Sequence, residues 1–351
     1  MKVDFMIIPT IHRIVLISAL LILLLFSIIL AIMIGATDIS ISDTLDGLRI
    51  YFFGETKPFS ISTVDIEIIN EIRLPRALLG TIVGAGLGIS GLTIQSLLRN
   101  PLGDPYILGI SSGASTGAAL VIVLGGSSEL LSTLGVTVGA FLGALAAIVA
   151  VGLLAISGGR TTPTRIIFAG MAVTYFFSAI TSLITLMAKN AAGTKSVMFW
   201  TLGSLGSASW KDVSTAGTVV LLAFILLLLL GRRIDLLELG DDTARSLGTN
   251  PSFYRNFLII IVAFTVATLV SLTGSIGFIG LVIPHLAKYL VGSVARVNLP
   301  ICALLGALLV VIADTFTRMI IRPAELPIGI LTALVGTPML MSLVKNRNEY
   351  Q

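Results

Sequence analysis

Two arginines stand three residues apart, Arg73 and Arg76, around Leu74 and Pro75. A guanidinium is permanently charged and planar, so a pair on one helical turn can clasp carboxylates in two-point fashion. The bland alternative is that both snorkel to lipid headgroups at a membrane interface. Far along the chain, Asp314 and Arg318 are four apart in an apolar run, with Arg322 beyond them. A carboxylate in lipid needs a partner, and residues at i and i+4 share a helix face. Structural pairing that holds Arg318 is the favoured reading of Asp314, because a proton relay needs more titratable groups than this stretch supplies.

Other chemistries are excluded or reduced to packing. Gly86-Leu87-Gly88-Ile89-Ser90-Gly91 fits the dinucleotide pattern GxGxxG. That pattern needs a preceding strand and a helix that starts at the glycines, whereas these glycines lie inside a long apolar helix. Close helix packing is the better reading. No GxxxxGK[ST] sequence occurs, so the chain cannot hold ATP in a P-loop, and any ATPase must be a partner. His12 and His285 are isolated, and the single cysteine, Cys302, sits in an apolar run, which leaves no metal site and no disulfide framework.

The elements that position these residues follow from hydropathy. The chain has 351 residues, 56% hydrophobic and only 11% charged, against about 25% charged in soluble proteins. Mean hydropathy is +1.04. An integral membrane protein is the only class this fits. Its net charge of +4 is scattered over helix ends and does not point to nucleic acid. Apolar runs of spanning length fall near 14–34, 77–98, 107–124, 131–156, 166–188, 213–230, 257–273, 276–292, 299–317 and 326–344. The expectation is an all-α polytopic protein of about ten helices, a single transmembrane domain over 1–351. The first run is longer than a signal-peptide core and is read as a retained span. An even count puts both termini on one side, and the bias of Lys and Arg makes that side cytoplasmic.

The run 77–98 carries Gly80, Gly84, Gly86, Gly88 and Gly91 and is expected to line a path, with the other spans packed around it. Residues 35–72 read as an acidic outer loop. Trp200 and Trp210 read as interfacial anchors. Residues 231–256 form the longest polar cytoplasmic stretch and read as two short helices. Asp241 or Asp242 would cap the first, Gly248 would take its left-handed C-terminal position, and Asn250-Pro251 would launch the next. Such a hairpin, with Arg245 and Leu247 on it, is a docking surface. Residues 89–99 and 278–288 echo one another too briefly to establish a repeat.

Three stretches carry a resemblance: RLPR with GAGLGISGLTIQSLLRNPLGDPYILGISSGA from Arg73 onward, GSIGFIGLVIPHLAK at 274–288, and AELPIGILTALVGTP at 324–338. They are similar to the membrane subunit of the type II ABC importers for ferric siderophores, haem and cobalamin. The resemblance implies a homodimeric permease driven by alternating access. Its partners would be cytoplasmic ATP-binding subunits, which carry Mg-ATP, and an extracytoplasmic binding protein, in the cytoplasmic membrane of a prokaryote.

Residue by residue, the resemblance makes Arg73, Arg76 and Arg318 the points that receive glutamates of the binding protein. Asn100 and Leu102 match an inner constriction, and Thr162, Pro163 and Thr164 match a cytoplasmic gate. The bland reading of both segments is loop breaking by proline. The family's middle gate residue is often small and polar, so Pro163 departs from it. The segment 235–256, with Asp241, Asp242, Arg245, Leu247 and Gly248, matches the element that couples to the ATPase. Ferric siderophore is the expected cargo, with haem or cobalamin as alternatives. A secondary transporter is the competing class, but of the intramembrane acids it would need, the sequence offers only Asp314.

Overall fold

The structure, a computed structural model, describes residues 10–35, 39–53, 62–125, 128–155, 161–321 and 324–347. Every regular element among these is helical. In chain order they are α1 (Thr10–Met33), α2 (Ile41–Phe53), α3 (Thr63–Glu67), α4 (Leu74–Leu98), α5 (Ile110–Leu124), α6 (Glu129–Ala155), α7 (Pro163–Leu186), α8 (Ala191–Thr201), α9 (Trp210–Glu238), α10 (Asp241–Ser246), α11 (Pro251–Thr273), α12 (Ile279–Val291), α13 (Ala295–Ile320) and α14 (Ile328–Arg347). Each of the ten predicted spans coincides with one helix. Seven helices among the described residues are long and apolar enough to cross a membrane.

Two of the remaining three spans lie on short helices. α5 has 15 residues and α12 has 13, so at 1.5 Å per residue they rise only about 22 and 20 Å. A bilayer core is about 30 Å thick. Neither helix alone crosses that thickness, and each follows an irregular segment: a 3-10 turn, Pro105–Leu108, before α5 and residues 274–278 before α12. The Tyr106 hydroxyl donates to the Ile276 carbonyl and accepts from the Ile276 amide, both at 3.1 Å, which ties the two irregular segments together.

α4 is the axis of the bundle, packed against α13, α9, α12 and α11. Nearly all its residues are buried. Here the expectation of a path-lining helix needs correction, because the small residues of α4 face other helices. A Cβ on Gly84 would collide with the Gly306 carbonyl of α13, and one on Gly91 with Gly280 of α12. Backbones approach this closely only where side chains vanish, the usual device of helix association in lipid. Gly91 and Gly280 hold equivalent places in the two echoing segments, so the echo is a face-to-face contact. α5 and α6 repeat the device, with Gly113 and Gly117 against Gly143 and Gly139.

The stretch read as an outer loop is also helical where described. α2, α3 and a π-helical turn, Ile68–Arg73, lead into α4. Trp210 seals this end, its indole donating to the Asn70 carbonyl at 3.0 Å and its ring stacked on Tyr51 at 5.3 Å.

Candidate functional site

The polar residues gather at the two ends of the bundle. At the first end, Arg73, Arg76 and Arg318 do converge, but as buried groups with internal partners. Arg76 grips Asp314 through Nε at 3.1 and 3.0 Å and Nη2 at 2.9 Å, while its Nη1 meets Glu325 at 2.9 Å. Arg318 reaches the same Asp314 at 3.3 Å and donates to the carbonyls of Ala31 and Ile34, each at 2.9 Å. Arg73 donates to the carbonyls of Ile32 and Met33 at 2.9 and 2.7 Å.

The unpaired carbonyls at the C-terminus of α1 thus receive two guanidinium groups, as free helix ends require. Sequence spacing singled out the Asp314–Arg318 pair. It missed the principal partner, Arg76, which lies 238 residues away. Glu325 is the outermost member, its side chain 39% exposed. Arg322 lies outside the described residues.

At the opposite end, three acids spaced three residues apart, two closing α9 and one opening α10, knit the helices. Asp235 accepts from the Ala295 amide at 2.8 Å and so caps α13. Glu238 accepts from Ser96 of α4 at 2.7 Å and from Lys288 of α12 at 2.8 Å. Asp241, the first residue of α10, takes Arg255 Nη2 at 2.6 Å and Arg99 Nη2 at 2.9 Å. Arg255 also donates to the Thr161 carbonyl at 2.8 Å.

Asp241 therefore joins α10 to two places at once. Arg99 is the residue before Asn100, and Thr161 is the residue before Thr162. The two segments matched to an inner gate meet α10 through one carboxylate. Burial pushes the Asp241 carboxyl up, but the hydrogen bond and charge of Arg255, with the charges of Arg99 and Arg245, outweigh it and hold it below the ordinary carboxylate value.

Local chemistry explains how these segments hold shape. Arg99 closes α4 in the left-handed conformation, φ 50°. Asn100 Oδ1 accepts from the Leu102 amide at 3.0 Å in an Asx turn that exposes Leu102. Thr162 caps α7, accepting from the Arg165 amide, and Pro163 occupies the first helical turn, where its missing N–H costs nothing. Pro163 therefore strengthens the start of α7, and Thr164 follows it within the first turn. Asp104 caps the 3-10 turn by accepting from the Tyr106 amide at 2.7 Å; burial raises its carboxyl to about 6 against that bond.

The polar stretch departs from the expected pair of short helices: residues 231–238 continue α9, α10 is the one short helix, and Asn250-Pro251 starts the long helix α11. The cap of α10 is Gly240, φ 117°, and Asp241 and Asp242 stand in the first turn, still against the positive end of the helix. Gly248 is left-handed, φ 74°, and the Thr249 amide returns to the Ala244 carbonyl at 2.9 Å, closing the helix as a Schellman turn. Asn250 caps α11 by accepting from the Phe253 amide at 3.2 Å. Arg233 braces the hairpin over the Tyr254 ring, 4.9 Å from its centre. Asp242, Arg245, Leu247 and Phe253 face outward. Among the described residues no group of His, Cys, Asp or Glu could hold a metal ion.

A family model described as the FecCD transport family matches residues 23–346. The chain is 36% identical over 329 residues to the Fe(3+)-citrate import system permease protein YfmD of Bacillus subtilis, covering 93% of this chain and 94% of that one. It is 39% identical over 280 residues to the hemin transport system permease protein HmuU of Yersinia pestis, covering 80% and 83%. It is 38% identical over 289 residues to the cobalamin import system permease protein BtuC of Halobacterium salinarum, covering 82% and 76%. A solved structure described as an inward-facing conformation of a metal-chelate type ABC transporter superposes with TM-score 0.81 at 32% identity, covering 94% of this chain and 99% of that one. The relatives that carry iron citrate, haemin and cobalamin are about equally similar.

Proposed function

The chain belongs to the FecCD transport family, and from that premise we propose that it is the membrane-spanning subunit of an ATP-driven importer in the cytoplasmic membrane of a prokaryote. Two copies form the path. Two cytoplasmic subunits bind Mg-ATP and meet the outward face of α10, and an extracytoplasmic protein delivers a ferric siderophore. Both termini are cytoplasmic, so the Asp241 end faces the ATPase and the Arg76 end faces the binding protein. Nucleotide binding and hydrolysis fall to the cytoplasmic subunits.

The observation that carries the mechanism is Asp241. A push on α10 reaches Arg99 and Arg255 together, and through them both gate segments, Asn100–Leu102 and Thr162–Thr164. Movement follows only if the nucleotide-bound ATPase contacts one arrangement better than the other. Docking at the opposite end works by exchange. Arg76 is already held by Asp314 and Glu325, so an incoming carboxylate takes the place of Glu325, the exposed member. Arg73 and Arg318, bonded to the end of α1, set the register.

The test is uptake of the ferric chelate into vesicles holding the permease, the ATPase and the binding protein. Import that requires ATP hydrolysis and survives collapse of ion gradients supports the reading. Import that runs without ATP and stops with the gradient overturns it.

A further inference from the structure

α12 is held at three points, each on a different neighbour. Near its start, the Gly280 carbonyl stands where a Cβ on Gly91 of α4 would have to go. Pro284 lacks the amide that would pair with that carbonyl, and Gln95 of α4 steadies the same turn by donating to the Leu281 carbonyl at 3.0 Å. In its last turn, about 12 Å along the axis from Gly280, Lys288 donates to Glu238 at 2.8 Å. Ahead of its first residue, Ile276 is held by the Tyr106 hydroxyl. Segment 274–278 in turn belongs to a junction made of main chain. The Ser204 amide donates to the Thr273 carbonyl at 2.8 Å, the Ile328 amide to Gly203 at 3.1 Å, and the Gly329 amide to Leu202 at 3.0 Å. A Cβ on Gly203 would strike the Ser275 carbonyl, and one on Gly274 the Trp200 carbonyl. The end of α8, the end of α11 and the start of α14 therefore cannot shift singly without breaking main-chain bonds.

Resting on the importer reading above, we propose that α12 is a lever turning on the Gly91–Gly280 contact, and that Glu238 is the positioning residue that drives it through Lys288. Glu238 is the last residue of α9 and stands three residues before Asp241, at the foot of α10. A displacement of α10 that carries the end of α9 moves Lys288 in one sense. The pivot moves 274–278, and with it the end of α8, in the other. Opening at the Asp241 end is thereby tied to closing at the opposite end. α9 and α12 otherwise barely touch, so this ion pair is their direct link. Its side chains are 25% and 32% exposed, and a pair so open to water adds little to stability. Its contribution is the connection.

The test uses the full-length chain with Cys302→Ala in lipid nanodiscs, assembled with the ATPase subunits. One reporter cysteine is placed at the inner end, Leu102→Cys, or on α8, Met198→Cys; both native side chains are exposed. Labelling by a water-soluble maleimide is compared without nucleotide and with ATP and vanadate. With the ion pair intact, the rate should differ between the two states at least about fivefold at both reporters. Lys288→Met should keep that difference at the inner reporter, because Asp241 still holds Arg99, and abolish it on α8. Glu238→Lys with Lys288→Glu re-forms the pair, since Ser96 can accept as well as donate, and should restore the difference on α8. A merely structural role would alter both reporters together. A difference on α8 that survives Lys288→Met, that is absent with the pair intact, or that disappears together with the inner one overturns the proposal. Labelling does not measure uptake, so the ion-gradient assay above judges the importer reading separately.

Discussion

Asp241 and Arg255 are joined at 2.6 Å, and the Arg255 side chain is wholly buried. The pair belongs to two elements of the same hairpin, yet its bonds leave that hairpin for Arg99 and the Thr161 carbonyl. Removing the carboxylate strands a buried guanidinium. Breaking a buried pair from one side costs about 3–5 kcal/mol, whereas replacing both partners by apolar groups is often near neutral. Asp241→Ala should therefore lose several kcal/mol in detergent unfolding, and Asp241→Leu with Arg255→Met should recover most of it. Equal loss in both variants would show that the pair does not act as a unit.

The same pair sets a pH dependence. Asp241 titrates below its ordinary value of 3.8 in the folded chain. An acid depressed by folding contributes stability that is complete above its unfolded pKa and lost as pH falls through its folded pKa. The difference in stability between wild type and Asp241→Asn should stay constant from neutrality down to about pH 5 and shrink only below about pH 4. A difference that collapses near pH 6 would place another group in control.

Asp104 has the opposite sign. Its carboxyl, raised to about 6 by burial, favours the protonated form, so the stability it contributes is lost as pH rises through about 6. Asp104→Asn keeps an oxygen for the Tyr106 amide and removes the charge. Thermal unfolding should show the variant gaining on wild type from pH 5 to pH 7.5. No pH trend in that difference would contradict the assignment.

Glycine positions separate by contact. At Gly84 a Cβ meets the Gly306 carbonyl, and at Gly152 it meets nothing within 4 Å. Gly84→Ala should force α4 from α13 and cost at least about 1–3 kcal/mol, as overpacking does. Gly152→Ala should stabilise α6 by about 0.5–1 kcal/mol. Equal melting temperatures for the two variants would contradict the packing described.

Much of this was legible in the chain. Hydropathy located the ten spans, and turn chemistry at Gly248 and Asn250-Pro251 shaped the hairpin, because both are local. The short spans α5 and α12 were also visible as runs, but not that each follows an irregular break and is too short to cross alone. The Arg76–Asp314 grip and the Asp241 bridge were not legible. Each joins residues that only the fold brings together, and no spacing rule links Arg76 to Asp314 or Arg99 to Asp241. The burial of Arg73, Arg76 and Arg318 was hidden for the same reason, since their partners are backbone carbonyls of α1 and an acid on another helix.

The most direct test of the account measures ATP hydrolysis and chelate uptake together in the reconstituted complex, comparing wild type with Asp241→Ala. If Asp241 carries motion from α10 to both gate segments, the variant should still assemble with its ATPase and hydrolyse ATP while uptake falls at least about tenfold, the effect of about 1.4 kcal/mol of lost coupling. Uptake that stays in proportion to hydrolysis in Asp241→Ala would contradict it.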